Sequence, residues 1–275
     1  MMGRPYAEVV GDPIAHSKSP LIHNFWLKKL GIDAEYRACN VGADELADYF
    51  ARRRGDADWR GCNITIPHKV TSIALVDNLD QPACSAGAVN TVFPTSARLS
   101  ATNTDIAGIL AALPVNLMPA GSTVCILGTG GAARAAFAAC KRRGVATVYS
   151  SARNHELGSS LLDEFGLGGC ARPLEDPLNI QCAEVIINAT SLGMSGKDDL
   201  PQAIIDNLAN PALVVFDMVY APLETELLKA AHALGLRTVD GLAMLIGQAA
   251  AAFEKFFGQP APREHDAELR ALLTA

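Results

Sequence analysis

A chain of 275 residues, 49% of them hydrophobic and 19% charged, has enough apolar material for two buried cores and is too apolar to stay disordered. Its formal charge of −6 and pI near 5.5 argue against non-specific nucleic-acid binding, and the runs Arg52-Arg53-Arg54 and Lys141-Arg142-Arg143 are short enough to be solvated helix ends. Seven scattered cysteines without a C-x-x-C pair, acid and proline near Met1 in place of a secretory apolar run, and no apolar stretch of the ~20 residues that cross a bilayer predict an untargeted cytoplasmic protein outside the membrane.

In chain order, Tyr6–Val10 reads as a strand and Pro20–Leu30 as a helix stopped by Gly31. Glu35–Cys39 is a second strand, Asp44–Arg54 a second helix, and Gly61–Ile66 a third strand that runs into Pro67. Ala88–Phe93 and Leu99–Thr102 add strands, and Ile106–Leu113 a helix closed by Pro114. A βαβ unit follows: strand Thr123–Leu127, helix Ala132–Arg143 and strand Val145–Tyr149. Strands Glu184–Asn188, Leu213–Asp217 and Arg237–Val239 come next, with helix Thr225–Leu234 before the last of them, and Gly241–Phe257 is an apolar helix. Strands alternating with helices predict largely parallel sheets, with ligands beyond the carboxyl ends of the strands.

Three polar clusters stand at such ends: Asn63-Ile64-Thr65-Ile66-Pro67-His68-Lys69, Gly87-Ala88-Val89-Asn90-Thr91 and Asn103-Thr104-Asp105. A lysine, an aspartate and several amides there suit a small polar substrate. Asp105 also fits as the cap of a helix beginning at Ile106, and Ser19-Pro20 as a helix start in which Ser17 and Ser19 hydroxyls reach a ligand or only cap. Gln248 sits in an apolar run, where a buried amide without partners costs about 1–3 kcal/mol, and a bound polyol would satisfy it.

Gly128-Thr129-Gly130-Gly131-Ala132-Ala133 lies between strand and helix, where glycines let the backbone approach a pyrophosphate. At the end of the next strand, a carboxylate would hold the ribose hydroxyls of NAD. Ser150-Ser151-Ala152-Arg153 stands there instead, two hydroxyls and a guanidinium that favour NADP, although Arg153 equally suits a solvated loop. The six histidines form no H-E-x-x-H or other metal-ligand spacing, so no metal is expected, and no Gly-x-Ser-x-Gly elbow is present.

The set Ser17-Lys18-Ser19-Pro20-Leu21-Ile22-His23-Asn24 together with the three clusters resembles the shikimate dehydrogenase family. The likeness continues through the glycine turn, Asn188-Ala189-Thr190-Ser191-Leu192-Gly193-Met194, Asp217-Met218-Val219-Tyr220 and Gly241-Leu242-Ala243-Met244-Leu245-Ile246-Gly247-Gln248, in the family's order. It implies an α/β protein with an N-terminal substrate domain over 1–105, a Rossmann-type, doubly wound NADP domain over 106–238, and a C-terminal helical segment over 239–275 that returns to the substrate domain, with the site in the cleft between. It also implies that Lys69 and Asp105 form the catalytic pair and that Ser17, Ser19, Thr65, Asn90, Tyr220 and Gln248 bind substrate. Met218 and Gly241 would lie near the nicotinamide and Thr190 near the cofactor, beside Gly128, Thr129, Gly130, Gly131, Ala132, Ser150, Ser151 and Arg153. Two departures stand out: Ser150-Ser151-Ala152-Arg153 replaces the family's usual Asn-Arg-Thr, and Ala101 replaces a usual glycine.

The implied reaction is reversible reduction of 3-dehydroshikimate with NADPH, in a monomer or homodimer whose partner is this small molecule. Lys69 would give the proton and stabilise the developing oxyanion, and Asp105 would fix the ammonium. The alternatives are a quinate or quinate/shikimate dehydrogenase using NAD and, outside catalysis, a nucleotide-sensing regulator, whose signature would be loss of Lys69 or Asp105.

Overall fold

Short apolar runs alternating with amphipathic stretches give two separate six-stranded sheets in the computed structural model, in which residues 3–96 and 98–275 are described. One sheet belongs to a unit of Met1–Ala107 with Leu245–Ala275, the other to a unit of Gly108–Met244.

The first sheet contains β1 (Tyr6–Gly11), β2 (Glu35–Asn40), β3 (Trp59–Ile64), β4 (Asn78–Leu79), β5 (Thr91–Thr95) and β6 (Arg98–Thr102), in the order β2-β1-β3-β5-β6-β4. β1 runs parallel to β2 and β3, and β4 parallel to β6, but β5 is antiparallel to both β3 and β6. The expected largely parallel sheet is therefore mixed here. Two residues separate β5 from β6, far fewer than a parallel crossover needs, so the pair must form a hairpin.

One face of this sheet packs Tyr6, Val10 and Ile64 against Leu46, Tyr49 and Phe50 of the helix Leu46–Arg53. On the other face Tyr36 meets His23 of the helix Ser19–Leu30 and Phe256 of the helix Gly241–Phe257, with Trp26 and Phe253 around them. Glu8 is buried in β1, yet Tyr49 Oη donates to it at 2.8 Å and Arg53 Nε at 2.8 Å, while Arg37 Nε donates at 3.2 Å. Arg53 thus turns inward from a run expected to be solvated, because a buried carboxylate needs charged donors. Arg143 does likewise, donating to the carbonyls of Leu110, Leu113 and Met118 in the other unit.

The second sheet contains β7 (Thr123–Leu127), β8 (Thr147–Ser151), β9 (Ala171–Arg172), β10 (Val185–Asn188), β11 (Val214–Asp217) and β12 (Arg237–Val239). All pairs are parallel, in the order β12-β11-β10-β7-β8-β9. This is the doubly wound arrangement, whose order reverses between β7 and β10 and opens a crevice beyond their carboxyl ends. Runs such as Val185-Ile186-Ile187-Asn188 and Val214-Val215-Phe216-Asp217 are buried throughout, as parallel strands covered on both faces require.

β8 reaches Ser151, two residues beyond the expected end, because Ser150 N–H donates to Cys170 O at 3.0 Å across to the β9 side. The sequence reading leaves out β9, and also the helix His155–Phe165, which Asn154 Oδ1 caps by accepting from Leu157 N–H and which Gly166 ends in a left-handed conformation. The helix Asp266–Thr274 in the first unit is likewise additional. Among the described residues no helix is long and apolar enough to cross a membrane.

Candidate active site

Four chain segments reach the same edge of the first sheet. Since β1 and β3 run parallel, the loops after them leave from one edge, carrying Ser17 in one, with Ser19 opening the helix that follows, and Thr65 to Lys69 in the other. β5 begins there, because Thr91 pairs with Asn63, and β6 ends there, because Thr102 pairs with Thr91. Asn90 and Asn103-Thr104-Asp105 are delivered to that edge.

Lys69 Nζ donates to Asp105 Oδ2 at 2.5 Å, and the two side chains are 14% and 5% exposed. The lysine keeps a route to solvent while the carboxylate is enclosed. Val89 N–H donates to the Lys69 carbonyl at 2.8 Å and holds its main chain in place. Asp105 opens the helix Asp105–Ala112, where the positive end of the helix dipole favours its charge. Asp105 is not the cap: Asn103 Oδ1 accepts from Ile106 N–H at 3.4 Å, and both Asp105 oxygens serve side chains.

Asn90 links these groups. Its Nδ2 donates to Asp105 Oδ1 at 2.8 Å and to Thr104 Oγ1 at 2.9 Å, and its Oδ1 accepts from Thr104 N–H at 2.7 Å and from the Thr91 hydroxyl at 3.0 Å. Gln248 Oε1 lies 3.3 Å from Thr104 Oγ1 and 3.4 Å from Asn90 Nδ2, while Gln248 Nε2 donates to Leu245 O at 3.1 Å. The buried amide already has protein partners, so a polyol is not needed to satisfy it. Thr91 and Thr104 are part of this network, and Tyr36 joins it through Asn63, whose Oδ1 accepts from the Tyr36 hydroxyl at 2.6 Å and whose Nδ2 donates to Thr91 Oγ1 at 3.0 Å. Thr91 and Thr104 stand in the polar clusters, whereas nothing local in the sequence marks Tyr36.

Ser19 is not a cap either. It lies in the first turn of its helix, with Lys18 at the cap position, and Ser17 Oγ accepts from Ser19 N–H at 3.3 Å. Ser19 is buried, while Ser17 and Thr65 are half-buried. Thr65 stays tied to the sheet through its N–H, which donates to Val10 O at 2.9 Å.

In the second unit the glycine turn stands where the strand order reverses. Gly128 has φ 103°, and a Cβ there would lie 3.0 Å from Thr190 Cγ2, so a side chain would be strained and crowded at once. Thr129 is half-buried, the space beside Gly130 is open, and Gly130 caps the helix Gly131–Arg143, whose first turn includes half-buried Ala132. Free N–H groups and a positive dipole end at that point fit a pyrophosphate.

The loops after β10 and β11 are stitched together beneath this crevice. Thr190 Oγ1 donates to Asn188 Oδ1 at 2.7 Å, Asn188 Nδ2 donates to Asp217 Oδ1 at 2.9 Å, and Thr225 Oγ1 donates to Asp217 Oδ2 at 2.6 Å. Burial raises the Asp217 carboxyl above the usual range despite those donors. Met218 and Tyr220 follow, both half-buried, with burial also raising the Tyr220 phenol. A Cβ on Gly241 would stand 2.4 Å from Met218 O and 2.5 Å from Val219 O, so only a hydrogen fits between these backbones.

Ser150 and Ser151 depart from expectation. Both side chains are buried inside β8: Ser150 Oγ lies under Gly158, and Ser151 Oγ accepts from Asn179 Nδ2 at 3.0 Å. Arg153, just past the strand, is exposed, and no carboxylate occupies 150–153. Of Ser150, Ser151 and Arg153 only the guanidinium reaches solvent. Among the described residues no group of three or more His, Cys, Asp or Glu could hold a metal ion.

The family profile described as "Shikimate dehydrogenase substrate binding domain" matches residues 9–92, and "Shikimate 5'-dehydrogenase C-terminal domain" matches residues 241–268. The shikimate dehydrogenase (NADP(+)) of Sphingopyxis alaskensis is 48% identical, over 98% of this chain and 97% of its own. The crystal structure of shikimate 5-dehydrogenase from Thermus thermophilus, in complex with NADP(H) and shikimate, is 33% identical with a TM-score of 0.86, covering 98% of this chain and 99% of that one. The Listeria monocytogenes shikimate 5-dehydrogenase, in complex with shikimate and NAD, is 29% identical with a TM-score of 0.86, covering 97% and 96%. With nearly full-length identity at that level, the chain belongs to the shikimate dehydrogenase family.

Proposed function

We propose that this chain catalyses the reversible NADPH-dependent reduction of 3-dehydroshikimate to shikimate, with the Lys69–Asp105 pair managing the proton. The observation that carries this reading is the 2.5 Å contact between a partly accessible ammonium and an enclosed carboxylate, flanked by the amides of Asn90 and Gln248. NADPH, when bound, supplies the hydride. Its pyrophosphate would be held by the turn Gly128-Thr129-Gly130-Gly131-Ala132, with Thr190 nearby, its 2′-phosphate by Arg153, and its nicotinamide by the backbone around Met218 and Gly241.

Hydride addition to a ring ketone leaves negative charge on oxygen, and Lys69 is the donor that stabilises this charge and delivers its proton. Asp105 fixes the ammonium by accepting from Nζ, and its other oxygen, now used by Asn90, suits a substrate hydroxyl. Ser17 and Ser19 present hydroxyls at a helix N-terminus, a fitting place for the substrate carboxylate. Thr65, Asn90 and Gln248 serve the remaining hydroxyls from the same sheet edge, and the Tyr220 phenol, after β11, is the further substrate-binding group that the family resemblance implies. In oxidation Lys69 takes the proton back. In this reading residues 1–105 hold substrate, 106–238 hold the dinucleotide and 239–275 return to the substrate half.

The free cysteines, three of them fully buried, suit a reducing cytoplasm. The test is a kinetic matrix of shikimate and quinate against NADP and NAD on purified protein. The reading expects the shikimate and NADP pair to give the highest kcat/KM. A quinate and NAD maximum would assign the chain to the other specificity, and no turnover with any pair would leave a nucleotide sensor.

A further inference from the structure

Hydrogen-bond direction is continuous from the aromatic core of the first unit to Asp105. Tyr36 Oη donates to Asn63 Oδ1 at 2.6 Å, and Asn63 Nδ2 donates to Thr91 Oγ1 at 3.0 Å. The Thr91 hydroxyl donates to Asn90 Oδ1 at 3.0 Å, and Asn90 Nδ2 donates to Asp105 Oδ1 at 2.8 Å. Every donor points the same way, and the series ends on the carboxylate that Lys69 meets from its other side. Tyr36, Asn63, Thr91, Asn90 and Asp105 are all buried.

We infer that Tyr36, acting through Asn63 and Thr91, is a positioning residue that steadies the Asn90 amide, whose facing the Thr104 N–H already sets by donating to Oδ1 at 2.7 Å, and so helps hold Asp105 for its work with Lys69. Asn63 and Asn90 are amides, each with a donor end and an acceptor end that occupy nearly the same shape. A phenol is a donor toward the Asn63 carbonyl, so Asn63 turns its NH2 toward Thr91 and toward the Asn90 main-chain carbonyl, to which Nδ2 also donates at 3.2 Å. Thr91, accepting there, has its one hydrogen left for Asn90 Oδ1. Together with the Thr104 N–H on the same oxygen, this bond has Asn90 present NH2, and not its carbonyl, to the Asp105 carboxylate. Without the phenol, Asn63 is held by its NH2 end alone, and the Thr91 hydroxyl is less firmly directed at Asn90 Oδ1, one of the bonds that orient Asn90. Burial holds the Tyr36 phenol protonated, well above its ordinary range, so the donor is constant.

Tyr36 is itself held by groups that the reaction does not use. Asn24 Nδ2 donates to Tyr36 O at 2.6 Å, Tyr36 N–H donates to Asn24 Oδ1 at 2.9 Å, and the His23 ring stacks on the phenol ring. The pair His23-Asn24, which stands in one of the family-like motifs, thus places the origin of the series.

The inference rests on the assignment of Lys69 and Asp105 as the catalytic pair, and the experiment separates the two. Tyr36→Phe removes only the hydroxyl and keeps the stack on His23, while Tyr6→Phe makes the same deletion at a phenol that donates to Asp56, outside the series. Tyr36→Phe is expected to lower kcat about tenfold, the size of one hydrogen bond lost from a buried network, with the NADP KM within about twofold. Tyr6→Phe is expected to keep kcat, even where its melting temperature falls as far. Should Tyr36→Phe fold poorly, Thr91→Val is expected to lose activity to a similar extent and Thr91→Ser to restore it. Wild-type kcat in Tyr36→Phe or in Thr91→Val, or losses that only track melting temperature as in Tyr6→Phe, would overturn the inference. Full turnover in Lys69→Ala would instead remove the assignment beneath it.

Discussion

His23 lies flat against Tyr36, ring centroids 4.0 Å apart and planes 4° from parallel, with neither ring nitrogen hydrogen-bonded. Burial pushes its pKa down to about 3, so the imidazole is neutral in the folded protein. An unfolded chain takes up that proton near pH 6.5. The contribution is therefore complete above pH 6.5 and is lost as pH falls toward 3, at about 1.4 kcal/mol per pH unit. Urea unfolding at pH 7.5 and 5.5 is expected to show a smaller loss for His23→Phe than for wild type, by about 1 kcal/mol. Equal losses would mean that His23 is already charged or solvated.

Gly241 brings its backbone against the carbonyls of Met218 and Val219, where an added Cβ would come within 2.4 Å. Gly241→Ala must push that loop aside. We expect a loss of about 1–3 kcal/mol in unfolding free energy and a raised NADP KM, both measurable on one preparation.

Arg153 stands exposed just past β8, where a carboxylate would instead favour NAD. Losing a charge-assisted bond to a phosphate costs about 1.5–3 kcal/mol, so Arg153→Ser is expected to raise the NADP KM roughly 10- to 100-fold. KM for NAD should stay within about twofold. Parallel rises for both cofactors would point to a general structural effect.

Much of the fold and of the candidate site is legible in the sequence. The glycine turn between β7 and its helix, and the placing of Lys69, Asn90 and Asp105 at strand ends, follow from local pattern, because periodicity and turn residues are local. The mixed character of the first sheet was less visible, since β5 and β6 read as separate strands and only their two-residue link forces a hairpin. Ser150 and Ser151 were misplaced because the end of β8 is set by β9, a partner about 20 residues on that is too short to carry a pattern. Asn103 took the capping role that suited Asp105 equally well by composition. Tyr36 was invisible for the same reason of distance: it meets Asn63 through the tertiary fold, and a tyrosine in a strand is otherwise an ordinary core residue.

The most direct test is steady-state kinetics of Lys69→Ala in the shikimate oxidation direction with NADP, alongside its melting temperature. Because removing Nζ leaves Asp105 enclosed without its cation, some loss of stability is expected and must be separated from catalysis. The account predicts a folded variant whose kcat falls by about 10²- to 10⁴-fold while the shikimate KM changes only a few-fold. A folded variant with kcat within about threefold of wild type, or one whose defect lies entirely in KM, would contradict it.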